Sequence, residues 1–347
     1  MGVAVSCLLF ATTLAAHDPG FTSGFDRSRC TFSTTGSNPY FPLWPGHATL
    51  LEGVEVDGEE LVELEVLITV SEDTELVDGV LTREVVEREK EDGELVEISY
   101  NYFAHCRETG DVWYFGEDVD DYEGGVIVGH GGAWRAGENG ALPGVFMMGS
   151  PMLGARYQQE YAPGVAEDRG EVTGVGGTVD VPLGTYTNVL SVIDTNALNP
   201  GPGDLKIYAP GVGNIVDEVM ELTEITTAPC VPDATTHCLL GGRFLVTATW
   251  ENFSHETGDG YAILASDQSG EFWFFGPGNT ELLVKVIDAC DEPGFNSFWV
   301  FAAGLTNVGV TLTVEDTKAP GATHSFENSV GTSFAPILDT TSFATCP

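Results

Sequence analysis

The chain has 347 residues, with 53 Asp and Glu against 13 Lys and Arg, for a formal net charge of −40. A surface that negative repels nucleic-acid phosphates and anionic lipid headgroups, which excludes functions built on either. The 43 glycines, 18 prolines and 42% hydrophobic residues suit short strands and tight turns around real cores, and the length suits two domains.

Residues 3–16 are uncharged and apolar, the length of a signal-peptide core and too short to span a bilayer. Thr13 and Ala15 fit the −3 and −1 positions, so residues 1–15 are expected to be removed, although a basic n-region is missing. A cut one residue later would leave His17 at the new N-terminus, where amine and imidazole together can hold copper; the spacing favours the earlier cut. No later apolar stretch is long enough for a membrane helix.

Residues 16–37 are polar and expected to be loose. Asn38–Gly46, Asn-Pro-Tyr-Phe-Pro-Leu-Trp-Pro-Gly, sets aromatics between prolines and predicts an extended lead-in to a β domain over 38–222. Strands are predicted at Leu61–Val70, Val80–Glu89, Leu95–Phe103, Val112–Phe115, Gly125–Val128, Thr185–Ile193, Leu205–Tyr208 and Ile215–Leu222. The Asp-Gly pairs at 78–79 and 92–93 are hairpin signals. Residues 80–90 also fit a charged helix, but the turns on both sides favour a strand. The series predicts an antiparallel meander curled into a barrel or half-barrel.

Residues 223–229 are expected to form a linker. From 230 to 347, strands are predicted at Arg243–Trp250, Tyr261–Leu264, Glu271–Phe275, Leu282–Ile287, Ser297–Phe301, Val308–Val314 and Thr323–Glu327. That many short strands suits a Greek-key β-sandwich, so the fold class is all-β throughout.

Cys7 leaves with the signal, and Cys30, Cys106, Cys230, Cys238, Cys290 and Cys346 remain. An even count in an exported chain reads as disulfides, with fifteen pairings open in principle. The domain boundary narrows them to Cys30–Cys106 in the first domain, with Cys230–Cys238 and Cys290–Cys346 favoured in the second.

The strings NPYFPLWPG (38–46), NYFAHC (101–106), VWYFGEDVDDYEGG (112–125), GGAWRAGENGALPGVFM (131–147) and YAPGVG (208–213) resemble a widespread group of exported bacterial β proteins. CLLGGRFLVTATW (238–250), SGEFWFFGPGNTELLVKVIDAC (269–290), FWVFAAGLTNVGVTLTVEDT (298–317) and FATCP (343–347) resemble a second module common in secreted bacterial proteins. The resemblance implies export, two modules and β structure. It implies no activity and carries over no functional residue.

Residues 1–228 hold 39 acidic and 10 basic residues, and the remainder 14 and 3. Acid spread in this way reads first as adaptation to saline surroundings or as general solubility, and only then as divalent-cation binding. The densest run is Glu117, Asp118, Asp120, Asp121 and Glu123. Oxygen-rich loops of this kind bind calcium, which makes Glu117, Asp118, Asp120 and Asp121 the candidate metal ligands. Tyr122 and Glu123 depart from the EF-hand pattern, and a solvated acidic turn fits the run as well. His130-Gly-Gly could supply an oxyanion hole, but no Gly-x-Ser-x-Gly elbow accompanies it. No other cofactor is implied.

These features lead to an exported, non-enzymatic binding protein. Its first domain is expected to hold an apolar or amphipathic small molecule against Trp44, Tyr102, Trp113, Phe115 and Trp134 on a concave face. A structural or adhesive cell-surface protein and a metal-dependent hydrolase are the alternatives. The last would need His105, His130 and the acidic run to converge.

Overall fold

The computed structural model describes residues 20–36, 38–58, 60–227, 230–290, 292, 294–319 and 321–346. The expected signal peptide and His17 lie outside the described residues. The described chain is all-β, with one short 3-10 turn at Arg27–Arg29.

Four long strands dominate the first module: Glu60–Val77, Val80–Glu91, Glu94–Cys106 and Val112–Glu123. The predicted Asp-Gly pairs make the turns between the first three. Asp78 and Gly79 have φ of 46° and 79°, and Asp92 and Gly93 have 47° and 78°. Two successive left-handed residues define the type I′ turn, whose twist matches that of paired strands. Val77 pairs with Val80 and Glu91 with Glu94, so each loop has two residues. Residues 80–90 are therefore strand, not helix.

Two expected strands are each broken in two by a residue with positive φ. Asn188 (57°) separates Gly184–Thr187 from Leu190–Asn196. Glu218 (54°) turns Gly213–Asp217 back onto Met220–Thr226. Neither turn contains glycine, and both lie inside runs that read as continuous strand. Pairing with Ala48–Asp57 then carries the strand Met220–Thr226 into the expected linker.

The sheet runs from Arg156–Gln158 through Asp168–Val175, Leu190–Asn196, Asp204–Ala209, Gly213–Asp217, Met220–Thr226 and Ala48–Asp57. It continues through the four long strands to Leu142–Met147 and Glu160–Tyr161. Its first and last strands belong to one stretch of chain, so residues 156–161 nearly close the sheet into a barrel. The segment Asn38–His47 lies across one end. Asn38 Nδ2 donates to the Gly110 and Met148 carbonyls, Gly211 N–H donates to the Pro39 carbonyl, and His47 Nε2 bonds the Val212 carbonyl at 2.7 Å. Phe41 enters the barrel edge-on to Phe103 and Phe146.

The stretch expected to be loose is packed over residues 20–36. Phe32–Ser33 pairs with the strand ending at Cys106, Cys30 is bonded to Cys106, and Phe25 and Phe32 meet Trp113 edge-on. Aromatic side chains and a disulfide anchor it where polar composition suggested nothing would.

The second module is a sandwich of two five-stranded antiparallel sheets. One contains Phe244–Glu251 and Gly309–Asp316, the other Leu282–Asp288 and Phe298–Gly304. Their alternating inward residues, including Val246, Leu312, Val284 and Val300, make one apolar core. The disulfides are Cys30–Cys106, Cys230–Cys238 and Cys290–Cys346, the favoured pairing. No helix among the described residues is long and apolar enough to cross a membrane.

Candidate functional site

The segment across the barrel end continues to Trp44 and Pro45, which face the second module. There a cleft of about 350 Å³ opens between the modules. Trp44, His105 and Arg107 line it from the barrel, and His237, Ala262 and Leu264 from the sandwich. Arg107 bridges the two, its Nη1 donating to the Ala265 carbonyl at 2.8 Å. Lys318 forms an ion pair with Glu72 across the same junction.

His105 is the last residue but one of the strand Glu94–Cys106, and its register against Ser33 turns the imidazole under Gly36. A Cβ on Gly36 would lie 2.0 Å from His105 Cγ, so only glycine allows this approach. His105 is 7% exposed, and neither ring nitrogen has a hydrogen-bond partner. Burial and the neighbouring Arg107 charge push its pKa down to about 4. The ring is therefore neutral near pH 7, offering one donor and one acceptor. Trp44 Nε1 and Arg107 Nε are buried without partners as well. His237, by contrast, bonds the Glu271 carbonyl at 3.0 Å and packs on Phe272. A buried polar group left unmet costs about 1–3 kcal/mol, and here three side chains leave such groups around one cavity. The cleft thus has partly apolar walls, with polar nitrogens that lack partners buried within the side chains that line it.

Of the five aromatics expected to line a concave apolar face, only Trp44 lines this cleft. Trp113 and Phe115 are covered by Phe32 from the N-terminal segment. Tyr102 lies under the Arg135 guanidinium and donates its hydroxyl to Asp118 Oδ2 at 3.0 Å. Trp134 packs edge-on to Tyr114. All five are under a tenth exposed, and they surround no common cavity.

The acidic run is also redistributed. Glu117, Asp118, Asp120 and Asp121 belong to the strand Val112–Glu123, and strand alternation divides them between the two faces. Glu117 turns inward and accepts from the Tyr114 hydroxyl at 2.9 Å. Asp118 turns outward to Arg135, and Asp120 lies 3.0 Å from His130 Nδ1. Asp121 Oδ2 accepts from Gly131 N–H. The four carboxylates face no common point. Among the described residues the one cluster with metal-ligand spacing is Cys30, Cys106 and Glu108, whose sulfurs are bonded to each other. His105 and His130 line different cavities, and His130 Nδ1 is engaged by the Val119 carbonyl and Asp120.

Sequence reasoning missed Arg107 and the sandwich side of the cleft. The one usable signal was the string Asn101–Cys106, which ends at the cleft. The chain matches no family model, no curated protein and no solved structure.

Proposed function

We propose that this is an exported binding protein that holds a small amphipathic molecule, an apolar body bearing an oxygen acceptor, in the cleft between its modules. The observation that carries this reading is the set of unpartnered nitrogens of Trp44, His105 and Arg107 around one partly apolar cavity. The cleft volume falls within the range of small-molecule sites, roughly 300–1,000 Å³. The Arg107 guanidinium favours a carboxylate as the acceptor. Three disulfides and the apolar leader support export.

Native mass spectrometry of the purified protein should show a bound small molecule. Decanoate, an amphipathic carboxylate, should quench Trp44 emission, and Arg107→Gln should weaken that binding. A protein that carries nothing, and whose emission decanoate leaves unchanged, overturns the reading.

A second reading, surface attachment, draws on the outer face of one sandwich sheet. Tyr261 stacks on Trp273 there, and Ile263, Leu283 and Leu338 on the same face are exposed. Lysine at positions 263 and 338 should then lower retention at the cell surface and leave decanoate binding unchanged.

A further inference from the structure

The sandwich has two outer faces, and strand alternation sets what each one presents. In the sheet that holds Phe244–Glu251, Gly309–Asp316 and Thr323–Asn328, the residues Val246, Ala248, Leu312 and Val314 turn to the core. The outward residues opposite one another are Thr247 and Thr313 with Ser325, and Thr249 and Thr311 with Glu327. Threonine in those places keeps strand propensity and a wet surface.

The other sheet reverses that choice. Its strands run in the order Tyr261–Ser266, Ser269–Trp273, Leu282–Asp288, Phe298–Gly304 and Ile337–Phe343. Phe272, Val284 and Val300 turn to the core. On the outside, Ile263 lies opposite Glu271, which lies opposite Leu283. One row further on, Lys285 lies opposite Phe301, which lies opposite Leu338. Ile263, Leu283 and Leu338 are exposed, the last at 74%. One module thus carries a polar outer face and an apolar one, so the apolar face is not a by-product of composition.

Lys285 is a separate observation. The second module has three basic residues. Arg243 is paired with Asp316, and Lys318 with Glu72 of the barrel. The exposed Lys285 ammonium has no hydrogen-bond or ion-pair partner among the described residues, in a chain with 53 acidic residues. Glu271 stands diagonally across from it on the next strand, and its Oε2 accepts from the Thr280 hydroxyl at 2.6 Å.

A face with one acid and one unpaired base side by side is complementary to itself. A two-fold axis in the plane of contact, passing between them, sets Glu271 of each copy against Lys285 of the other. Five strands about 4.8 Å apart, with five to seven residues rising about 3.3 Å each, give a face of roughly 500 Å². Two such faces bury roughly 1,000 Å², the lower bound for a specific interface, so the contact is weak and reversible. A net charge of −40 on each chain opposes association until salt screens it, whereas salt does not weaken apolar contact. The same charge disfavours an anionic polymer or lipid as the occupant.

We propose that the apolar outer face of the sandwich packs on the same face of a second copy, in a two-fold dimer fixed by reciprocal Glu271–Lys285 ion pairs. A second copy here takes the place of the unnamed partner in the attachment reading, and the cleft plays no part.

The test is sedimentation velocity of the full mature chain over a range of protein concentrations. A reversible monomer–dimer equilibrium is expected in about 1 M NaCl, shifting to monomer near about 0.05 M. Leu338→Lys should weaken the dimer about tenfold or more, by burying an unpaired charge. Lys285→Glu sets acid against acid and should weaken it by a similar factor, and adding Glu271→Lys should restore it. Thr249→Lys, on the polar face, should leave it unchanged. Thermal melts of each variant separate lost association from lost folding, and Leu338→Lys tests the face if a Glu271 variant does not fold. A monomer at every salt concentration, a dimer that Leu338→Lys leaves intact, or a folded charge-swapped variant that stays monomeric would each overturn the proposal. So would a chain that remains monomeric and binds a soluble neutral glucan on this face. A dimer in solution that is not retained at the cell surface would support the proposal and end the attachment reading.

Discussion

In the sandwich, inward residues from two facing sheets meet across a dry core, with Phe244, Phe272 and Phe343 fully buried. In the barrel, the same alternation builds an apolar core around Phe103, Phe115 and Tyr157 and also turns carboxylates toward a cavity of about 230 Å³. Sheet separation in a sandwich is set at about 10 Å by the side chains themselves, whereas barrel width grows with strand number. A wide closed sheet can therefore hold polar groups and a cavity where a sandwich cannot. The sandwich does bury charge, at Asp316 and Glu281. Asp316 is fully buried, and it is answered in full by both Nε and Nη2 of Arg243 and by the Thr345 hydroxyl.

The sharpest test of that contrast is Arg243→Met. It strands the buried Asp316 carboxylate and should cost about 3–5 kcal/mol, read as a lower urea midpoint for the sandwich. A loss under about 1 kcal/mol would mean the pair does not anchor the module.

Acid should then affect the modules in opposite senses. Raised carboxyl pKa values mean that the folded barrel holds protons the unfolded chain has released, so its stability falls as pH rises from about 5 to about 8 at low salt. His47 and His105 are held neutral by burial and act the other way below their unfolded pKa, but the raised carboxyls outnumber them. In the sandwich, burial works against the Asp316 charge, yet the Arg243 and Thr345 bonds hold its carboxyl below the usual range. That stability is present above about pH 4 and is lost in stronger acid. His237, kept neutral by burial, adds a loss below its unfolded pKa. Calorimetric scans should resolve the two trends, and a barrel that melts earlier at pH 5 than at pH 8 would break the comparison.

Glu87→Gln removes one strained charge. It should stabilise the barrel by about 1–3 kcal/mol near pH 8, discounted for partial exposure, and leave it nearly unchanged near pH 5. Gly93→Ala puts a Cβ at φ 78° in a hairpin turn and should cost about 1 kcal/mol in either condition. Trp44→Phe should shift stability least, by under about 0.5 kcal/mol in the ligand-free protein, because Nε1 has no partner to lose. Chemical denaturation of each variant measures these effects.

The hairpins were legible because Asp-Gly at 78–79 and 92–93 names its own turn type. The break at Glu218 was not, since nothing local distinguishes that residue from strand, and the asparagine at 188, which tolerates left-handed backbone, is only a weak turn signal. The packing of Phe25 and Phe32 was hidden for a different reason. It depends on Trp113, some 80 positions away along the chain. Half of the cleft was invisible on the same ground, because Trp44 and Leu264 become neighbours only when the modules dock.

Local sequence by itself marked many of the strands, the type I′ turns and the favoured cysteine pairing, which follow from alternation, turn chemistry and chain partition. It also showed that Glu87, Glu89, Glu97 and Glu117 lie on strands or in an acidic run. Only the tertiary structure decided that these carboxylates face inward. Period-two alternation distinguishes two faces of a strand but not which one is enclosed, and that choice is made when residues 156–161 bring the two ends of the sheet together.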